Sequence, residues 1–516
     1  MSHRFIFLRR IIDLVLMNVF FIDKNRFKFV NNIKKQEKNS HVLIEINLHN
    51  IISATFHVLL SLVLSKRFKI IFFYYSKYDH TFKNKLFYFL SFNYFNFLKK
   101  NCNSEIINLF TKPSEVENAE SEKVFKNLKN LNSLIKLRYK GFEVGKYIYQ
   151  SYSRELLKEQ INIKDQRLKK FIIEAFTYIN NLNILFKNIK CKKLFITHSI
   201  FIRYGILCNF LSKLQKPEIY IFQPEDRRGN FLKNLDFIKI NLKHLVQMES
   251  YWNYKSEFKK LKNKKKLLNI SKKDLNQRIY GSKINKHIMI GEINPYTKKE
   301  IIKFNNTKKE KVIILASNFF DSAFFYRNSL YAESYTYIEK LLSIAKNTNF
   351  EWYIKPHPDG QPENDILIKK LQENYPFLKI LPVSISNISF KNNNFKSMFS
   401  FEGTAIHEFI FMNIPSYCVG DNKQSAYKFG TPSKNYSSFK STVLNANKKK
   451  KFNLKDVYEF NYMYTFQKSK DFISCDFLSK KDREFLQRKY KGNFLERYSS
   501  LLLLLKFFEN KKNNLL

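Results

Sequence analysis

Two short stretches of the sequence carry residue types that could bind a phosphate. In Trp352 to Gly360 (WYIKPHPDG), Lys355 and His357 alternate with prolines, which restrict the backbone of the loop. Further on, the small-residue turn Gly403-Thr404 precedes an apolar helical pattern. Such a helix start leaves backbone N–H groups free and presents the positive end of the helix dipole. Together these features predict a site for a phosphate or pyrophosphate.

Each feature also has an ordinary structural explanation. A Gly-Thr pair at a helix start is common, and a lone histidine more often packs in a core than acts in a site. The helix predicted after the turn also contains His407 and Glu408. The presence of these two polar residues, in addition to Lys355 and His357, favours a binding site over a purely structural explanation.

The elements that must position this loop and turn follow a strand–helix pattern. Strands are predicted at Glu351 to Ile354 and Ser397 to Phe401, directly before the two stretches. Earlier in the chain, a strand at His41 to Asn47, a helix at Ile51 to Leu64 and a strand at Lys69 to Tyr75 form the start of a doubly wound parallel sheet. The fold class predicted is therefore α/β.

Ligands bind parallel sheets beyond the carboxyl ends of the strands, which identifies candidates on the acceptor side. Glu45 and His49 lie at the end of the first predicted strand. His198 follows the strand Lys193 to Thr197, and its ordinary pKa near 6.5 suits a general base. We rank His198 first as the catalytic base and Glu45 second.

Two further residues are assigned to the acceptor side. Arg154 has a guanidinium fork that suits carboxylate or phosphate oxygens, although a surface ion pair is the favoured explanation. Tyr204 lies in the helix predicted after His198.

The composition limits the class of protein. The 516 residues contain 91 Lys and Arg against 44 Asp and Glu, a net charge of +47. Lysines spread along the chain, with abundant Asn, Ile and Phe, are typical of an AT-rich genome, but a basic surface would also favour the anionic inner face of a membrane. The five cysteines show no metal-ligand or redox spacing, which indicates a reducing cytoplasm. The apolar stretches are too short or too interrupted to span a bilayer.

The KPHP loop, followed by GTAIHE, NIP and a strand ending in Gly420, resembles the C-terminal half of capsule and surface-polysaccharide glycosyltransferases of the two-Rossmann-domain (GT-B) type. Looser relatives are polysialyltransferases, Kdo-adding capsule enzymes and the glycerophosphate polymerases of teichoic acid synthesis. YKGFEVGKYIYQSYSR, ending at Arg154, and THSIFIRYGIL, from Thr197 to Leu207, extend the resemblance into the first half, although Gln150 stands where these proteins often carry an acid.

The resemblance implies a fold and a set of roles. The two Rossmann-like doubly wound domains would face each other across a cleft. The donor-binding residues would be Lys355, His357, Gly403, Thr404, His407 and Glu408. Glu408, about one and a half helical turns past Gly403, would accept hydrogen bonds from a ribose. His357 would also take part in catalysis. Neither a metal nor another cofactor is expected, because basic side chains and the helix dipole replace the charge of a metal.

The domain boundaries predicted are an N-terminal helical extension (1–40), an acceptor domain (41–298), a donor-nucleotide domain (299–480) and a C-terminal helix (481–516). The function predicted is transfer of a sugar from a nucleotide-sugar to a capsule, lipopolysaccharide or other surface glycan, with a glycan or lipid-linked acceptor. The location predicted is cytoplasmic, with a peripheral contact at the anionic inner membrane. Two alternatives remain: a CDP-glycerol-type glycerophosphotransferase, and a non-catalytic basic protein that binds membrane or nucleic acid. Under the glycosyltransferase reading no nucleic acid is expected as a partner.

Overall fold

A computed structural model describes a large part of the chain. The described residues are 40–46, 57, 60–62, 64–65, 67–75, 96, 98–100, 104–225, 231–240, 242, 245, 251–280, 304, 309–320, 329–357, 362–391, 393–427, 429, 433, 435–448, 451–466 and 472–473. The predicted N-terminal extension up to residue 39, the candidate His49 and the predicted C-terminal helix 481–516 lie outside them.

The first sheet has seven strands, five of them parallel in the Rossmann order. They are β1 His41–Glu45, β2 Lys69–Tyr74, β3 Glu105–Asn108, β6 Cys191–Ile196, β7 Glu218–Glu225, β8 Phe231–Lys239 and β14 Phe472–Ile473. Their order is β14-β8-β7-β6-β1-β2-β3. Five neighbouring strands pair in parallel, in the spatial order β3-β2-β1-β6-β7. Numbered along the chain, these five strands have the Rossmann arrangement 3-2-1-4-5. Antiparallel β8 and β14 extend the edge beyond β7.

The second sheet repeats this order with five parallel strands. They are β9 Lys311–Leu315, β10 Glu351–Lys355, β11 Leu378–Ile380, β12 Phe395–Ser400 and β13 Ser416–Tyr417. The order β11-β10-β9-β12-β13 is again 3-2-1-4-5. Continuous apolar runs such as KVIIL in β9 suit a sheet covered on both faces, and Val312, Ile313 and Ile314 have no exposed surface. The α/β class with two Rossmann-like sheets is confirmed.

Helices and one small hairpin complete the described structure. The hairpin strands are β4 Arg138–Tyr139 and β5 Phe142–Glu143. The helices are α1 Glu115–Asn127, α2 Leu131–Ile135, α3 Gly145–Leu156, α4 Gln166–Leu185, a π-helix Phe201–Ile206, α5 Leu207–Leu214, a 3-10 turn Tyr251–Asn253, α6 Tyr254–Lys259, α7 Lys264–Tyr280, α8 Ser334–Ala345, α9 Pro362–Asn374, α10 Ile388–Lys391, α11 Ala405–Phe411, α12 Tyr436–Leu444 and α13 Leu454–Thr465.

Two sequence-based interpretations need correction. The lysine-rich pattern of residues 227 to 298 predicts helix, but Phe231–Lys239 form strand β8 between β7 and β14. The lysine-rich pattern of residues 448 to 516 also predicts helix, whereas Phe472–Ile473 form an edge strand of the first sheet. In both places pairing with a neighbouring strand decides the local structure over the helical spacing of the sequence.

The two sheets belong to units with separate hydrophobic cores. One core packs on one face of the first sheet, and two others cover the two faces of the second. Although α6 and α7 precede the second sheet in sequence, Tyr254, Phe258 and Leu275 pack in a core of the second unit together with Phe460. Among the described residues, the chain therefore enters the second unit before residue 254 and returns to the first unit in β14.

A polar contact also joins the two units directly. The Gln160 side chain donates to Oε2 of Glu339 at 2.9 Å, and the backbone N–H of Ile161 donates to Oε1 of Glu333 at 3.1 Å. The Tyr149 hydroxyl donates to the carbonyl of Ala332 at 3.2 Å. The segment around the end of α3 is therefore attached to the start of α8.

Candidate functional site

Each sheet has a topological switch point, where the direction of strand addition reverses and where ligands bind α/β proteins. In the second sheet this point lies between β9 and β12. Leu315, the last residue of β9, is in register with Lys355 of β10 on one side and with Ser400 of β12 on the other. Adjacent strands lie about 4.8 Å apart. The loop that follows Lys355 and the turn at Gly403 therefore leave the same edge of the sheet, two strand spacings apart.

Lys355 is buried with little to neutralise its charge. Only 3% of the residue is exposed, and its Nζ donates one hydrogen bond, at 2.8 Å, to the Oδ1 atom of Asn387. Within the described part of the chain no carboxylate pairs with it. Burial lowers the pKa of Lys355 to about 7. A negatively charged ligand at this position would restore the ammonium form.

The turn after β12 combines an unusual backbone conformation with a helix cap whose side chain makes no capping bond. Gly403 adopts a φ of +131°, a conformation that side chains other than glycine rarely adopt, and a Cβ atom built on it would have no atom within 4 Å. Thr404, the residue that caps α11, makes no side-chain capping bond. Both residues are partly buried, as is His357 in the loop after β10. An open turn with an unused hydroxyl is compatible with a bound anion.

His407 and Glu408 lie inside the unit, behind this turn. His407 has no exposed surface, its ring packs edge-on against Phe460, and burial lowers its pKa well below the ordinary value. Its Nδ1 atom lies 3.3 Å from the side-chain nitrogen of Gln424, which also donates to the Gly403 carbonyl. The structure thus gives His407 a place in supporting the turn, and its contact with a donor stays a prediction.

Glu408 is paired with a residue from outside its own sheet. Its Oε1 atom lies 2.5 Å from the guanidinium of Arg278 in α7, and both side chains are at most 10% exposed. Removing either charge from such a pair leaves the other uncompensated. The predicted contact of Glu408 with a ribose therefore stays a prediction, and it would have to share this carboxylate with Arg278.

In the first sheet, the switch point between β1 and β6 contains Glu45. Its Oε2 atom accepts hydrogen bonds from the backbone N–H and the hydroxyl of Thr197, both at 2.7 Å. Burial raises the pKa of Glu45, while these bonds and the charge of Arg203 oppose the rise. A buried carboxylate whose pKa is raised is a stronger proton acceptor than an exposed one.

His198 packs against Tyr204 in the same region, but it is a weaker base than its residue type suggests. Its ring stacks on Tyr204 with 5.2 Å between the centroids, and the guanidinium of Arg203 lies 4.3 Å from the centre of the same Tyr204 ring. Burial, followed by the charges of Arg203 and Arg154, lowers the pKa of His198 to about 4. The pKa of His198 is thus lower than the value near 6.5 expected from its residue type, and the ranking of His198 and Glu45 as bases stays a prediction. Burial, followed by the negative charge of Glu45, raises the pKa of Tyr204.

The sequence analysis missed the residues that hold this cluster in place. Phe201 begins a π-helix with a φ of +66°, a strained conformation for an aromatic residue. Its backbone N–H donates to Oε1 of Gln150, and that of Ile202 donates to the hydroxyl of Ser151. Gln150 was visible as a departure from the related proteins, but its partner in the π-helix was not.

Gly205 allows the π-helix to approach α3 closely, since a Cβ atom there would lie 2.2 Å from the ring of Tyr147. Arg154 is exposed near the end of α3. The first switch point therefore brings Glu45, His198 and Tyr204 together, with Arg154 close enough to affect the charge of His198.

The described residues contain no group of three or more His, Cys, Asp and Glu side chains arranged to hold a metal ion. Across the same part of the chain, no helix is long and apolar enough to cross a membrane.

Comparisons with known proteins found distant structural likenesses. No family model matches the chain, and no curated protein matches it. Similar solved structures include KpsC, a beta-Kdo 2,7 transferase of Thermosulfurimonas dismutans (14% identity, 55% of this chain and 79% of that chain, TM-score 0.32). A glycosyltransferase of Rickettsia africae ESF-5 is 11% identical over 90% of this chain and 99% of that chain (TM-score 0.27). A UDP-glucosyltransferase of Polygonum tinctorium is 10% identical over 91% and 98% (TM-score 0.21). At these scores the likenesses carry no argument of their own.

Proposed function

We propose that this protein is a glycosyltransferase of the GT-B type, which transfers a sugar from a nucleotide-sugar donor to a surface glycan or its lipid-linked precursor. The observation that carries the proposal is the pair of Rossmann-like sheets whose switch points hold opposite charges, a cation in the second and a carboxylate in the first. Transfer of a glycosyl group needs both, because a phosphate leaves while an acceptor hydroxyl loses its proton.

The second unit would bind the donor. Lys355 and His357, with the Gly403-Thr404 turn, would lie against the phosphates. Negative charge grows on the leaving phosphate in the transition state, so a cation fixed in a water-poor position stabilises that state more than the ground state. Gln424, through its bond to the Gly403 carbonyl, would hold the turn in position. No metal or other cofactor is required by this arrangement.

The first unit would bind the acceptor and remove its proton. Glu45 would act as the base, with Thr197 and Tyr204 fixing its orientation. His198, neutral at pH 7, would orient the acceptor hydroxyl, and Arg154 and His49 would contact the acceptor. The sugar's anomeric carbon would form a bond to the acceptor oxygen as its bond to the phosphate breaks, and the proton would pass to Glu45.

A surface glycan as acceptor is supported by the resemblance of the KPHP and GTAIHE motifs to capsule glycosyltransferases. A cytoplasmic protein in peripheral contact with the inner membrane fits such an acceptor. A CDP-glycerol-type glycerophosphotransferase would use the same phosphate-binding groups. To distinguish it from a glycosyltransferase, both the bound nucleotide and the transferred group must be identified.

The first experiment is a thermal-shift panel with UDP, GDP, CMP and CDP. A ligand at a hundred times its dissociation constant stabilises the folded state by about 2.7 kcal/mol. One nucleotide should raise the Tm of the wild type and fail to raise that of His357→Ala. His198→Ala, a histidine of the other switch point, serves as the matched control and should keep the shift.

Two results would contradict the proposal. If none of the four nucleotides raises the Tm, the second switch point is not a nucleotide site of this kind. If His198→Ala removes the shift as fully as His357→Ala, the division between donor and acceptor units is wrong. A shift with anionic lipid or RNA alone would favour the non-catalytic alternative.

A further inference from the structure

Residues 259–273 (KKLKNKKKLLNISKK), here called the basic segment, contain eight lysines and neither Asp nor Glu. In the whole chain, 91 of 516 residues are Lys or Arg and 44 are Asp or Glu. An AT-rich genome explains a general excess of lysine, but the overall composition predicts between two and three basic residues in a stretch of this length, against the eight found. The basic segment therefore calls for a separate explanation.

The structure places all eight lysines on the surface. The basic segment comprises the end of α6, a turn and the first part of α7, and every one of its lysines is exposed. Its leucines Leu261, Leu267 and Leu268 pack against a core of the second unit. Asn461 of α13 donates to the Ser271 hydroxyl at 3.1 Å, which fixes the helix to its neighbour. The lysines are thus presented by an anchored element.

The charges of the basic segment are almost entirely uncompensated. Lys260 pairs with Glu257 at 2.8 Å, and among the described residues no carboxylate pairs with the other seven lysines. An open groove of about 750 Å³ lies in the same surface, lined by four of the lysines together with Asn263, Asn269 and Ile270. Ile270 is 36% exposed. The surface thus combines dense positive charge with one exposed apolar side chain.

The composition of the basic segment distinguishes between two anionic partners. It contains no Phe, Tyr or Trp, so it offers no ring on which the bases of a single strand could stack. It also contains no Arg, the residue whose fork binds phosphate and guanine in two places. Lysines are flexible point charges, and they suit a surface whose negative charges are mobile and have no fixed spacing. A lipid bilayer has such a surface.

We propose that the basic segment docks the protein on an anionic lipid bilayer. The lysines would lie among the lipid headgroups, and Ile270 would enter the interface between headgroups and acyl chains. Docking by one anchored face of the second unit would fix the orientation of the protein on the membrane. The inference does not depend on glycosyl transfer, because a protein with another activity could dock in the same way.

The test is sedimentation of the full chain with vesicles of phosphatidylglycerol and phosphatidylcholine, compared with phosphatidylcholine alone. The variant replaces Lys264, Lys265, Lys266, Lys272 and Lys273 by Gln. The matched control replaces five exposed lysines elsewhere, Lys112, Lys129, Lys136, Lys187 and Lys369, and so loses the same charge. Binding to anionic vesicles should fall at least about tenfold in the variant and less than about threefold in the control. An unchanged Tm would show that the variant is folded.

The proposal is overturned if the control loses as much binding as the variant, because net charge alone would then explain the attraction. It is also overturned if the wild type binds neutral vesicles equally well. If the variant keeps its affinity for vesicles but loses affinity for a 20-nucleotide RNA, the partner is a nucleic acid. The nucleotide-dependent thermal shift should be the same in the variant and the wild type, so failure of this proposal and failure of the proposed function are distinguishable.

Discussion

The two switch points occupy equivalent positions in sheets of the same strand order, yet the charged groups beside them differ in their hydrogen-bond partners. In the first sheet, the carboxylate of Glu45 receives two hydrogen bonds from Thr197. In the second, the described residues offer the ammonium of Lys355 one partner, the neutral amide of Asn387. One charge is therefore largely satisfied by the protein, and the other is not.

This difference assigns a role to each region. A carboxylate with fixed donors keeps its position without a ligand, as a proton acceptor should. A buried cation without an anionic partner costs stability until an anion binds, since desolvation disfavours its charged form. We therefore expect an anion bound at the second switch point to stabilise the folded protein, because it would offset the cost of burying the Lys355 ammonium.

The largest effect is expected for Glu45→Gln. Loss of a general base lowers turnover by about 10²- to 10⁴-fold, while the amide oxygen of Gln can still accept hydrogen bonds from Thr197. Turnover would be measured with the donor that the thermal-shift panel identifies. The nucleotide-induced shift should remain, and its loss would show that the two switch points do not act separately.

Arg278→Met should be the most destabilising substitution. It leaves the buried Glu408 carboxylate without its partner, which costs about 3–5 kcal/mol in the free energy of unfolding. Urea denaturation would measure this. The double variant Arg278→Met/Glu408→Leu should recover most of the loss, and a double variant as unstable as the single one would mean that the pair is not the cause.

Lys355→Met should weaken nucleotide binding by about 2–5 kcal/mol, the cost of removing one partner of a buried charge pair. Isothermal titration calorimetry would measure the change. Lys369→Met, an exposed lysine of α9, is the matched control and should bind like the wild type. Equal affinity in Lys355→Met and wild type would place the phosphates elsewhere.

The same substitution predicts a pH dependence in the absence of ligand. Because the pKa of Lys355 is lowered to about 7 in the folded state, the unfolded chain binds the extra proton between pH 7 and the unfolded pKa near 10.4. The cost of burial is therefore full below pH 7 and fades as the pH rises. Lys355→Met should be more stable than wild type at pH 6, and the gap should narrow by pH 10. A gap that is constant with pH would contradict the assignment.

The smallest effect is expected for Gly205→Ala. The new methyl group would lie 2.2 Å from the ring of Tyr147, and the repacking should cost about 1–3 kcal/mol in the free energy of unfolding. Thermal denaturation would measure it. In a Tyr147→Leu background, which removes the ring, the same substitution should cost less. An undiminished cost would mean that the ring is not what limits the space.

Both sheets could be predicted from the sequence because their inner strands are continuous apolar runs. The placement of Lys355 and Gly403 at the same edge of the second sheet follows from the rule that the carboxyl ends of parallel strands lie at one edge. Strand β8 was missed because Leu232, Leu235 and Ile238 recur at helical spacing, while its strand state depends on pairing with β7 and β14. Pairings of residues far apart in sequence decide such elements.

The state of the site residues could not be predicted. Sequence identifies Lys355, His198 and Glu408 as ionisable, but the pKa values of Lys355 and His198 depend on burial, and the partner of Glu408 is a distant residue. Nothing in the sequence pairs Glu408 with Arg278 or shows that His198 stacks on Tyr204. The strained backbone of Phe201 likewise depends on bonds to α3.

In the part of the chain that the structure describes, two crossings connect the units, one before α6 and another between α13 and β14. Two covalent connections leave fewer relative motions than one. The hydrogen bonds of Glu333 and Glu339 to the segment after α3 limit them further, because a motion that separates these groups must break the bonds. Two units joined in this way can reach fewer relative positions than two domains connected by a single linker.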